Sequence, residues 1–238
     1  MPVLVAAATG LELCAALKCS TAAPQGQVFE ASAFGRPVLA LVTGIGVINA
    51  ALALGRALER HAPAGVLNLG VAGSFDLGAH PLGAVRLVEA EIWPEYGLLF
   101  SGQCAADARG LGFSLDAGKA AVPGAVFERL DWNAPAELAR LGLNGPGCGR
   151  AGLACAASLT VSGVTADAPR AKELSARFGA GLENMEGFAL AYAARLAELP
   201  FAELRAVSNA VGARPPQGWD LPGALTALGQ AAQQIFAP

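Results

Sequence analysis

Short apolar runs alternate with longer Ala/Leu-rich stretches along most of this chain. PVLVAAA at 2–8, RPVLALV at 36–42 and GVLNLGVAG at 65–73 have strand length and lack the polar alternation of a half-exposed strand. Helices are expected over 46–60, about 167–178, 186–198 and 221–236. Strand–helix alternation with buried runs predicts an α/β fold with a mixed or largely parallel sheet covered on both faces. Met185, Ala189, Tyr192 and Leu196 form an apolar helical face, with Glu186 at the helix entrance. Residues 101–150 are rich in Gly and small residues and are expected to be loops around a few short elements. No repeat or linker divides the chain, so a single domain over 1–238 is expected.

Ligands of such sheets collect at the carboxyl ends of strands, where loops converge. Thr9–Gly10, Thr43–Gly44, Gly70–Ser74 and Ser208–Asn209 all fall at such ends. The stretch FAELRAVSNAVG at 201–212 is the most pointed case. In an extended chain Arg205, Val207 and Asn209 project to one side. A cation removed from water needs an anion, and an amide removed from water needs hydrogen bonds.

Composition narrows the classes. Apolar residues make up 54% of the 238 and charged residues 15%, enough for a large core. The net charge of −3, without basic runs, argues against nucleic acid or an anionic membrane as partner. The longest uncharged run, between Arg36 and Arg56, is broken by Thr43, Gly44, Gly46 and Asn49, and so reads as strand, turn and helix start. MPVLVAAATGLEL lacks a positive start and meets Glu12 too early for a signal peptide, so a cytoplasmic protein is expected. Five cysteines without CxxC spacing read as reduced thiols. His61 and His80 have no partners at ligand spacing, so no metal and no cofactor is expected.

Two acids carry open readings. Glu12 is either an exposed acid in a first helical turn or a group of the site. Glu186 is either a helix N-terminal acid or a grip for hydroxyls, since a carboxylate can accept two hydrogen bonds from a vicinal diol. GIGVINAA at 44–51 follows a strand and opens a helix, so its backbone N–H groups could hold an anion or a hydroxyl. It lacks the third glycine of a dinucleotide fingerprint.

Taken together, TGIG at 43–46, NLGVAGSF at 68–75, ENMEG at 183–187 and RAVSN at 205–209 resemble the purine nucleoside phosphorylase/nucleosidase superfamily. The likeness runs from the first strand through Trp219 and suits the nucleosidase branch. It implies a three-layer α/β/α sandwich around a mixed sheet, a nucleoside substrate and a homo-oligomer. By position, Glu12 matches the family acid that activates water, and Arg205 the cation expected to pair with it. Met185 and Glu186 match the pair that packs on the ribose and binds its hydroxyls. Asn209 matches the position facing the purine edge. Trp219 falls where relatives place an aromatic beside the nucleoside, and Ala72, Gly73 and Ser208 match ligand-lining positions.

Adenosine-type relatives carry Asp where this chain has Asn209. An amide can offer NH2 to a 6-oxo group while its oxygen receives N7–H, which implies hypoxanthine as leaving group. Within the family this resembles the futalosine hydrolases. Glu12 in ATGLEL, with no arginine nearby, would repel phosphate and suits water, so hydrolysis is favoured over phosphorolysis. Val71 stands where adenosine-type relatives have Ser, and Ala166 where they have a stacking aromatic. Phe75 or Phe188 could stack instead, and Arg214 or Arg170 could meet a substrate carboxylate. Cleavage of inosine or methylthioadenosine, and a non-catalytic nucleoside binder, stay open as alternatives.

Overall fold

The uninterrupted apolar runs are explained by strands that face helices on both sides. A computed structural model describes residues 1–18, 24–116, 124–143, 153–213 and 218–237. Among these, nine strands form one sheet: β1 (Val3–Ala7), β2 (Val28–Ala33), β3 (Arg36–Val42), β4 (Val66–Ser74), β5 (Val85–Ile92), β6 (Arg129–Asp131), β7 (Cys155–Thr160), β8 (Leu182–Asn184) and β9 (Phe201–Ala210). The helices are α1 (Gly10–Leu17), α2 (Val47–Arg60), α3 (Ala134–Arg140), α4 (Ala168–Phe178), α5 (Gly187–Leu196) and α6 (Leu221–Phe236).

Strand β1 shows how the layers arise. Its Val3, Val5 and Ala7 join a core with Leu13 of α1 and Leu228 and Ile235 of α6. Its Leu4 and Ala6 join a second core with Leu54 of α2 and Leu190 of α5. The expected three layers and mixed sheet are therefore present: β1 pairs parallel with β3 and β4, while β2 pairs antiparallel with β3. Each of the four expected helices falls within two residues of its forecast bounds. Among the described residues no helix is long and apolar enough to cross a membrane.

The face expected on α5 needs correction. Leu196 is 59% exposed, whereas Phe188, Ala189, Leu190, Ala191 and Ala194 are buried. The helix lies between the sheet and α2, so its buried arc is broader than one stripe. Helix α1 was read only as a first turn around Glu12. Its start is a capping box: Thr9 accepts from the Glu12 N–H, and Glu12 accepts from the Thr9 N–H.

Beyond β4 the sheet curls on itself. The pairings β4–β9, β9–β5, β5–β7, β7–β8 and β8–β4 close a five-strand ring. Ala72, Ala156, Leu182 and Val207 make an apolar cluster contributed by four of its strands. Beside it lies a polar set. Arg205 of β9 and Glu91 of β5 both bond Asn184 of β8, a strand neither of them pairs with, so these bonds cross the ring. Ser158 and Thr160 of β7 join the same network. Gly187, at the start of α5, faces this cluster: a Cβ there would run into the Glu91 and Glu203 carboxyls.

Gly187→Ala is therefore expected to destabilise the fold by about 1–3 kcal/mol through overpacking. Urea unfolding checks this, and an unchanged midpoint would show that the ring has slack at this point.

Candidate active site

The ends of β4, β8 and β9 and the segments after β1, β3 and β7 line a cavity of about 340 Å³. Its wall includes Glu12, Ala72, Gly73, Met185, Glu186, Ser208, Asn209 and Trp219, eight of the nine residues singled out from the sequence. The ninth, Arg205, stands behind the wall at 1% exposure. The remaining lining is largely apolar, with Leu11, Ile45, Val71, Val164, Leu221 and Leu225.

Glu12 is buried at the third position of α1. One carboxylate oxygen, Oε2, accepts from the Thr9 N–H at 2.9 Å and the Thr9 hydroxyl at 2.8 Å. The other, Oε1, accepts from the Val71 N–H at 3.0 Å. That N–H is available because β1 pairs with β4 only through Asn68, and β8 joins β4 only from Gly73. The gap between two neighbouring strands thus presents a backbone donor to the acid. The hydrogen-bond capacity left on Oε1 can accept from a water.

Glu186 joins β8 to α5. Its Oε1 accepts from the Gly46 N–H at 2.9 Å, so the glycine turn before α2 does hold an anion, one supplied by the protein itself. Gly46 has φ near 92°, a conformation that favours glycine. Burial pushes the Glu186 carboxyl above the usual carboxylate range, opposed first by Arg205 and then by the Gly46 bond. Asn184 sets the turn that carries Glu186: its Oδ1 accepts from the Glu186 N–H at 2.8 Å and the Gly187 N–H at 2.7 Å.

The expected Arg205–Glu12 pair is not what forms. Arg205 bonds Glu203 Oε1 through Nε at 2.6 Å, and its Nη1 lies 3.7 Å from Glu186 Oε2. Nη2 donates to Asn184 at 3.2 Å and Nη1 to the Val71 carbonyl at 3.3 Å. Glu203, two residues earlier on the same face of β9, is the nearer anion. Arg205 and Glu12 instead approach Gly70 together, where a Cβ would meet both.

Strict alternation along β9 also fails, for a local reason. Val207 pairs with Ala72 and Asn209 with Gly73, so Ser208 is an extra residue opposite one step of β4. This bulge re-aims the strand end, and both Ser208 and Asn209 reach the cavity. The Asn209 Nδ2 donates to the Ala210 carbonyl at 2.9 Å, which fixes which way the amide faces, because a carbonyl only accepts. The Ser208 hydroxyl then donates to Oδ1 at 2.8 Å. One N–H and one acceptor site of the amide are left for a ligand.

Trp219 is 39% exposed, with its indole N–H on the Ala213 carbonyl at 3.1 Å, and forms one side of the cavity. The two stacking candidates lie elsewhere. Phe188 is buried against Tyr192 and Trp93, and Phe75 packs on the cluster around Leu159. Val164 lines the cavity in the loop where an aromatic was sought. Arg170 bonds the Cys104 carbonyl and lies 3.6 Å from Glu95, away from the cavity. Arg214 lies outside the described residues. Thr9 was noted only as a strand-end residue, and Asn184, the cavity-lining Glu183 and Glu203 were not singled out. The T-x-x-E spacing of Thr9 and Glu12 signals the first, and the i, i+2 spacing of Glu203 and Arg205 the last.

A family model described as Phosphorylase superfamily matches residues 2–237. The chain is 38% identical over 200 residues to a futalosine hydrolase of Thermus thermophilus, covering 83% of this chain and 80% of that one. Its fold is similar to that of a 5'-methylthioadenosine/S-adenosylhomocysteine nucleosidase of Colwellia psychrerythraea in complex with adenine. That likeness has a TM-score of 0.73 at 18% identity, covering 99% of this chain and 93% of that one. A futalosine hydrolase mutant of Helicobacter pylori gives 0.66 at 14% identity, covering 99% and 96%. With a family model spanning nearly its whole length and a sheet that folds as those relatives do, the chain belongs to the phosphorylase superfamily.

Proposed function

We propose that the protein hydrolyses the N-glycosidic bond of futalosine, releasing hypoxanthine, on a route to menaquinone. The observation that carries this reading is the oriented amide of Asn209 in a cavity that buried Glu12 and Glu186 also line. Similarity to futalosine hydrolases over most of the chain supports the same substrate.

Glu12 takes a proton from water, whose oxygen attacks C1′ as the bond to the purine breaks. The bonding pair leaves with the base, which gains a proton at N7 from solvent. Asn209 Oδ1 accepts that N7–H, and Nδ2–H donates to the 6-oxo group. An adenine would set its amino group against the same N–H and leave a donor unpaired. Glu186 accepts the ribose hydroxyls while Met185 packs on the sugar, so C1′ moves between base and water with the rest held. Arg205 acts from behind, opposing the effect of burial on Glu186.

A homo-oligomer in the cytoplasm completes this reading. Support for the oligomer is exposed apolar surface: Leu11, which lines the cavity, is 68% exposed, and on α2 Ile48 is 76% and Leu52 62% exposed. Ile48 and Leu52 are one helical turn apart on α2, a pattern suited to burial against a second copy.

Glu12→Gln should lower futalosine turnover by about 10²–10⁴ while hypoxanthine still binds. Retained turnover within a few-fold would remove Glu12 from the role of base. Asn209→Asp should weaken hypoxanthine release at least about tenfold and gain measurable activity on methylthioadenosine. An unchanged preference between the two substrates would overturn the amide argument. Both are read by chromatography of the released base, with and without phosphate, and strict phosphate dependence would make the enzyme a phosphorylase.

A further inference from the structure

Glu91 and Glu203 line no part of the cavity, yet they adjoin Arg205, the cation that faces Glu186 from behind its wall. Both are fully buried, and both crowd Gly187. Glu91 accepts from the Thr160 hydroxyl at 2.5 Å and from Asn184 Nδ2 at 2.6 Å. Among the described residues no donor is bonded to Glu203 Oε2, and two side chains adjoin that carboxylate, the Asn68 amide, whose Nδ2 is also unpartnered, and the Glu91 carboxyl. Beside the amide, a proton on Glu91 supplies a second donor. Two carboxyl groups in such contact, out of water, hold one proton between them. Burial, with Glu203 beside it, pushes Glu91 well above the usual carboxylate range. Glu203 is raised by burial too, but Arg205 works in the opposite direction.

The groups facing this centre come from every element around it. They are Glu203 and Arg205 of β9, Glu91 of β5, Ser158 and Thr160 of β7, Asn184 of β8 and Asn68 of β4. Glu186 at the start of α5 and Glu12 of α1 complete the set. With Glu91 neutral, Glu203 and Arg205 cancel, and the field that Arg205 exerts on Glu186 is what Glu203 leaves unmatched.

We propose that Glu91 and Glu203 are a charge-setting pair, acting as positioning residues. Glu91 is a neutral carboxylic acid donating to Glu203, and Glu203 is the single anion that fixes how much of the Arg205 charge is left for Glu186. This deepens the nucleosidase reading and rests on it for its kinetic test.

Infrared spectra of the unliganded protein at neutral pH should show the carbonyl stretch of a buried protonated carboxyl, lost in Glu91→Gln. Its absence from the parent overturns the proposal. The second measurement is kcat/KM for futalosine against pH. Glu203→Gln turns more of the Arg205 field onto Glu186, so the acid limb should move to lower pH by about one unit. Glu91→Gln keeps a neutral donor in place, so its acid limb should stay with the parent's. An unmoved limb in Glu203→Gln, or a lowered one in Glu91→Gln, overturns the proposal. If Glu203→Gln does not fold, Glu91→Gln and the infrared band decide. If the parent cleaves no futalosine, the functional reading fails while the infrared outcome still decides the state of Glu91.

Discussion

A guanidinium cannot shed its charge, so a chain that buries one must build anions and acceptors around it. Arg205 is such a group. Burial works against its charge, but Glu203 and then Glu186 push its pKa up beyond that of an ordinary arginine. Removing one partner of a buried pair leaves the other uncompensated, at a cost of about 3–5 kcal/mol. The closed ring of strands makes the arrangement possible. Only a sheet returning on itself brings Asn184 of β8 within reach of Arg205 of β9 and Glu91 of β5.

From that centre the cavity follows outward. Asn184, held by Glu91 and Ser158, fixes the backbone that carries Glu186. Gly46 then ties the Glu186 carboxylate to the start of α2. Glu12 arrives from α1 and is held by its own helix cap and by a donor exposed where β1 stops short of β8. The two acids are therefore set by different elements and meet through the same strand ends. Little rotamer freedom is left to lose on binding, which is the condition for precise placement of a reacting atom.

Much of this was legible in the sequence because hydrophobic pattern and turn residues agreed. Strands β1, β3, β4 and β9 and the helices α2, α4, α5 and α6 are written in apolar runs bounded by Gly, Pro or Asp. Strands β5 and β7 were hidden for a physical reason: VRLVEAEI carries three charges and CAASLT is mostly small, because part of each faces a polar ring interior. The cavity residues were legible through ENMEG and RAVSN, whereas their partners were not. Arg205 sits in an apolar run that also contains Glu203, and the assumption that its anion lay far off in sequence concealed the one two residues away. Likewise, alternation along β9 could not foresee a bulge at Ser208.

That extra residue has an evolutionary consequence. It brings Asn209 to the cavity wall, so that, on the proposed reading, exchanging an amide for an acid at 209 changes which base is recognised. On that reading, a lineage with this fold could drift between nucleobases by a one-residue change at the strand end. Diversity of substrate among proteins that share such a scaffold would then reflect where the irregularity sits, more than any redesign of the catalytic core.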